Sequence, residues 1–153
     1  MLQRIQTVYL LIIVALTVAM LFLPLITIQS GEQFFTLDVT GFNTTIEQPQ
    51  LLVATWGLFA LTAIIALIAL ITIFLYKNRV LQMRLSIFNA LLMVGFYALV
   101  AFFVWKFKEG MEIDAFNVKL ALCFPLISLI LDYLAIRNIG ADEALVRSLN
   151  RLR

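Results

Sequence analysis

The chain of 153 residues has no histidine and one cysteine, Cys123. A single cysteine excludes an intrachain disulfide and any thiolate-based metal site. Cys123 has no histidine to activate it and stands among apolar residues, so it reads as an inert thiol. There is no cluster of metal ligands, no nucleophile beside a plausible base and no Gly-rich phosphate loop. No catalytic residue, metal or cofactor is therefore expected. Charge is scarce as well. Only 13% of residues are Asp, Glu, Lys or Arg, where a soluble domain carries about 25%.

What is present is apolar. Hydrophobic residues make up 63% of the chain. Stretches free of charge run over Ile5–Gly31, Gln48–Tyr76 and Leu85–Trp105, and a fourth, Leu120–Ile136, is interrupted only by Asp132. A membrane-crossing helix needs about 20 mainly apolar residues. The pattern predicts one all-α membrane domain, an antiparallel four-helix transmembrane bundle. Its spans fall at about 5–24, 51–76, 85–105 and 119–137, with an outer loop at 25–50 and a tail at 141–153. The start resembles a signal peptide but lacks a small-residue cleavage site, so it reads as an uncleaved anchor.

The cations sort by side. If the amino terminus is cytoplasmic, the inner segments hold Arg4, Lys77, Arg79, Arg84, Arg137, Arg147, Arg151 and Arg153. The outer loops hold only Lys106, Lys108 and Lys119. This is the positive-inside pattern and puts both termini in the cytoplasm. Trp56 and Trp105 then fall at the outer interface, and Tyr9, Tyr76 and Tyr133 near the inner one. The basic balance is thus a topology signal, and no nucleic-acid partner is read from it.

In the first outer loop, Ile26–Gln29 and Gln33–Leu37 flank Ser30-Gly31-Glu32, which predicts a small hairpin. Two strands are marginal alone in water, so the hairpin should lie on the helix ends with Phe34, Phe35 and Phe42 toward protein or lipid. It can serve as a cap over the bundle or as a partner surface. The second outer loop, Lys106 to Lys119, reads as a solvated connection. In the second span Thr62, Ala66 and Ala69 form a small-residue stripe that lets a neighbouring helix approach.

The fourth span is the most informative. Ala121, Pro125, Ser128, Asp132 and Ala135 recur at spacings of 4, 3, 4 and 3, so its small and polar residues share one helical face. In lipid that face should turn into the bundle. Asp132 precedes Arg137 by five residues, and Asn89 follows Arg84 by five on the antiparallel third span. The two are expected to face each other at matching depth, with Ser128 and Thr7 nearby. Asp132 reads either as a helix–helix hydrogen-bond partner reached by interfacial water, or as a ligand for a proton, a cation or a polar head.

The tail is amphipathic. Leu145, Leu149 and Leu152 share a face opposite Arg147 and Arg151, and Asp142 and Glu143 suit the start of a separate helix after Gly140-Ala141. Such a helix could lie on the inner leaflet or dock on a protein.

Three stretches together carry a resemblance: Met1 to Leu10, Lys77 to Arg84, and Leu134 to Arg153, including Asp142-Glu143-Ala144-Leu145-Val146-Arg147-Ser148. They resemble the bacteroidete membrane-protein family called domain of unknown function 4293. The resemblance implies a bacterial inner-membrane protein and supplies no activity. The function expected is that of a non-enzymatic accessory or scaffold subunit. It would bind membrane lipid, another membrane protein or a second copy through Lys77, Arg79, Arg84, Arg147, Arg151 and Arg153. The alternative is a small carrier or sensor of protons or small ligands built on Asp132 and Asn89.

Overall fold

The computed structural model describes residues 2–44, 51–109 and 114–151. Four helices account for most of them: α1 (Leu2–Met20), α2 (Trp56–Phe74), α3 (Arg79–Lys108) and α4 (Phe124–Arg151). Each follows from a long apolar run with few helix breakers. A four-residue connection, residues 75–78, reverses the chain between α2 and α3. The helices pack as a ring, α1 against α2 and α4, and α3 against α2 and α4. Among the described residues, α2, α3 and the stretch Leu120–Val146 are long and apolar enough to cross a membrane, whereas the apolar part of α1, Ile5–Met20, is shorter.

The distribution of side chains is inverted relative to a soluble bundle. Leu11, Leu67, Phe74, Leu91 and Ile130 are exposed, while Thr17, Thr62, Thr72, Ser86, Asn89, Ser128 and Asp132 are buried. Apolar side chains outside and polar ones inside suit a hydrocarbon surrounding. The buried threonines are satisfied locally. Thr17 Oγ1 donates to the Ile13 carbonyl at 2.8 Å, and Thr62 and Thr72 donate to Leu58 and Ile68 at 2.7 Å each.

At one end of the ring sits a five-stranded antiparallel sheet of order β4-β3-β2-β1-β5. Its strands are β1 (Ile26–Ser30), β2 (Gln33–Leu37), β3 (Gly41–Thr44), β4 (Leu51–Ala54) and β5 (Ala115–Val118). The β1–β2 hairpin expected from alternation is there, with Ser30 paired to Gln33 across Gly31-Glu32. Gly31 has φ +59°, which a two-residue hairpin turn requires and glycine adopts without strain. Its N–H donates to Asp114 Oδ2 at 2.6 Å, and the Asp114 N–H donates to the Gln29 carbonyl at 2.9 Å. The second loop is thereby tied to the hairpin.

The sheet lies on the helices through Leu25, Ile26, Ile28, Leu37, Val39 and Phe42, all buried. Phe42 stacks on Phe107 of α3 at 4.2 Å between ring centroids and on Phe35 at 5.5 Å. Phe34 points the other way and is 41% exposed. Trp56 and Trp105, 74% and 64% exposed, stand at this sheet end. The opposite end, with Arg79 and Arg84, is the arginine end.

Three expectations need correction. The second outer loop contributes a strand, β5, rather than a solvated connection. Leu51–Ala54 is a strand, so the second helix begins at Trp56; buried Thr55 marks the corner, its Oγ1 donating to the carbonyls of Asp38 and Val39 at 3.2 and 3.0 Å. The tail is not a separate helix either: α4 runs unbroken through Gly140 to Arg151. Asp142 there is a buried interior residue rather than an exposed amino-terminal one.

Gly140 makes that continuity testable. A Cβ added at Gly140 would meet nothing within 4 Å, and glycine inside a helix costs about 0.5–1 kcal/mol relative to alanine. Gly140→Ala is expected to raise stability by about that amount in equilibrium unfolding of micelle-solubilised protein. A helix that breaks at Gly140 would instead be destabilised by the change.

Candidate functional site

Two polar features stand out, one inside the ring and one at the arginine end. The inner one is built by matching stripes. On α3 the buried residues are Gln82, Ser86, Asn89, Met93, Phe96 and Val100, spaced 4, 3, 4, 3 and 4. Across the Leu120–Cys123 turn and α4 the stripe read from the sequence is buried throughout, at Ala121, Pro125, Ser128, Asp132 and Ala135, and it continues to Ile139 and Asp142. Two stripes with helical spacing on antiparallel neighbours leave their side chains interleaved.

One contact fixes their register. Arg79 Nη1 donates to the backbone carbonyl of Asp142 at 3.3 Å. Asn89 lies ten residues beyond Arg79 and Asp132 ten residues before Asp142. At ~1.5 Å per residue both are ~15 Å inward from that contact. Further along, Tyr97 Oη donates to the Leu122 carbonyl at 2.7 Å, which keeps the same alignment. Asp132 is fully buried and lies beside the Ser86 hydroxyl. Even so, Ser86 Oγ, both polar atoms of Asn89, Ser128 Oγ and both oxygens of Asp132 have no hydrogen-bond partner of good geometry. A buried polar group without a partner costs about 1–3 kcal/mol, more when charged, so these six atoms, on facing stripes at about the same depth, make a polar patch inside the ring.

Toward the arginine end the polar lining continues. Gln82, Gln6 and Asp142 are buried, and Gln6 Nε2 donates to Asp142 Oδ2 at 3.2 Å. Thr7 is half-buried next to Gln6. Toward the sheet end the lining turns apolar at Met93, Phe96, Leu10 and Ile13, all closed to solvent.

The second feature is a groove of about 720 Å³ at the arginine end, lined by Lys77, Asn78, Arg79, Val80, Leu81, Arg84, Glu143 and Val146. Three of the expected cations, Lys77, Arg79 and Arg84, come together here beside the last turns of α4. Arg147 and Arg151 belong to α4. Arg153 lies outside the described residues, as does Leu152 of the tail's leucine face.

Ser86, Gln6 and Gln82 were not singled out from the sequence. The signal was available, because Gln82, Ser86, Asn89 and Met93 repeat the 4-3-4 spacing that marks α4. Among the described residues no three His, Cys, Asp or Glu come together in a metal-binding group. Cys123 is exposed, in a 3-10 turn at Leu120–Cys123. At the sheet end Asn43 Nδ2 donates to Asp38 Oδ2 at 3.2 Å. Burial pushes the Asp38 carboxyl above its usual range and that hydrogen bond partly offsets it.

The sequence model of the family described as "Domain of unknown function (DUF4293)" matches residues 2–152, essentially the whole chain. No curated protein and no solved structure matches it.

Proposed function

We propose, from the premise that the chain belongs to the DUF4293 family, that it is a non-enzymatic integral membrane protein that binds an anionic phospholipid. In this reading all four helices cross the membrane, both termini lie in the cytoplasm and the arginine end meets the inner leaflet. The chain then serves as an accessory subunit whose lipid contact helps seat it within a membrane complex. The groove between the α2–α3 turn and the end of α4 carries the reading. Lys77, Arg79 and Arg84 supply cations for a phosphate, while Val80, Leu81 and Val146 supply apolar surface for the first carbons of the acyl chains. Basic residues at a cytoplasmic membrane boundary gain ~1 kcal/mol each from anionic lipid.

The test is titration of the micelle-solubilised protein with phosphatidylglycerol and, separately, phosphatidylcholine, read as a shift in Tm. A preference for phosphatidylglycerol is expected. The double variant Lys77→Gln/Arg84→Gln leaves the Arg79–Asp142 contact in place and should weaken that binding roughly 30-fold, from ~1 kcal/mol for each lost cation. Equal response to the two lipids, or an unaffected double variant, overturns the proposal. A carrier built on Asp132 and Asn89 has less behind it. It needs access from both ends, and Met93 and Phe96 fill the way to the sheet end.

A further inference from the structure

The six unpartnered atoms between α3 and α4 demand an occupant that the groove reading does not supply. Buried polar atoms without protein partners are met by water or by an ion. Three observations select between them. The first is charge: Asp132 has only the Ser86 hydroxyl beside it, with no hydrogen bond of good geometry and no cation, and the cations nearest along the helices, Arg84 and Arg137, are exposed. An ionised carboxylate in that position needs a positive charge beside it, because an isolated buried charge is costly. The second is donor type. Asp132, the Asn89 amide oxygen and the hydroxyls of Ser86 and Ser128 offer oxygen ligands only, and these suit hard cations. The third is count: one carboxylate balances one positive charge, and among the described residues no group of three or more His, Cys, Asp or Glu forms around it. A divalent ion would leave uncompensated charge in a low-dielectric interior.

We infer that Ser86, Asn89, Ser128 and Asp132 form a binding site for a dehydrated monovalent cation of the sodium or potassium kind. Asn89 Nδ2, which cannot ligate a cation, is left to donate to a carboxylate oxygen. The ion reaches the site from the arginine end, because Gln82, Gln6 and Asp142 continue the polar lining in that direction whereas Met93 and Phe96 close the other. The site is therefore one-sided, suited to holding or sensing a cation rather than passing it through. It stands independently of the lipid groove, which shares none of its four residues.

The test is thermal unfolding of the full chain in neutral detergent, at fixed pH and ionic strength, with sodium or potassium chloride exchanged for choline chloride. One of the two ions should raise Tm saturably, by about 5 °C at a hundredfold excess over its Kd. Asp132→Asn should fold and lose that response. Should Asp132→Asn fail to fold, the double variant Ser86→Ala/Ser128→Ala, which keeps the carboxylate, decides: its half-saturating salt concentration should rise severalfold. A Tm indifferent to both ions, an Asp132→Asn protein that keeps the response, or a double variant with an unchanged midpoint would each overturn the site.

Discussion

Truncating Phe42 to alanine is expected to remove about 3–5 kcal/mol of stability, the usual cost of emptying a buried aromatic position. The ring is almost wholly buried and lies between two others, near-parallel to Phe107 (12°) and to Phe35 (6°). Such pairs add ~0.5–1.5 kcal/mol each beyond the area they bury. The loss is also strategic. Phe107 belongs to the last turns of α3, a helix of 30 residues, or ~45 Å at ~1.5 Å per residue, longer than the ~30 Å hydrocarbon core of a bilayer. That surplus length carries Phe103 and Phe107 up to the sheet. Equilibrium unfolding in micelles measures the effect, with Phe34→Ala as the control. Phe34 is on the exposed side of the same strand region, so its change should stay within ~0.5 kcal/mol. Equal small losses for both would mean that the sheet does not unfold together with the helices.

The second large effect concerns Asn89. Replacing it with aspartate puts a second carboxylate at the depth of Asp132 with no added cation. A charged acid at bilayer depth costs roughly 2.5–3.5 kcal/mol, and repulsion between the acids adds to it. Asn89→Asp should therefore destabilise by at least about 3 kcal/mol. The informative measurement is the cycle completed with Asp132→Asn. If the two side chains face each other, the double variant should recover much of the loss, a coupling of about 0.5–3 kcal/mol. Strict additivity would place them on separate surfaces and break the register argument built on Arg79 and Asp142. The cycle belongs in choline buffer, where no small cation screens the pair.

The helical part of this chain was legible because its pattern follows a simple grammar: long apolar runs become helices, and polar residues at 4-3 spacing share one face, which turns inward. That grammar marked the buried face of α4 residue by residue, and helix rise gave the expectation, which the Asn89–Asp132 cycle tests, that the two side chains stand level. It failed where local pattern is silent. Leu51-Leu52-Val53-Ala54 is equally apolar as strand or helix, and only Thr55, bonded to carbonyls 16 and 17 residues away, sets the boundary. Ala115-Phe116-Asn117-Val118 becomes a strand because β1 offers an edge to pair with, a long-range fact absent from four residues. Asp142 has the credentials of a helix start after a glycine. The buried amide of Gln6, 136 positions earlier, gives it an interior role instead.

The sheet order has a mechanical consequence. Strands β1 to β4 come from the segment joining α1 to α2, and β5 from the one joining α3 to α4, so their pairing clasps the two helical hairpins together at one extremity. At the other extremity the described cross-ties at Asp142 are two long hydrogen bonds, to Gln6 and Arg79. A barrel of rods joined by paired strands at one extremity should be stiffest there. Any splaying of these helices is then expected to pivot on the sheet, which amide hydrogen exchange slower in β1 and β2 than at the arginine end would show.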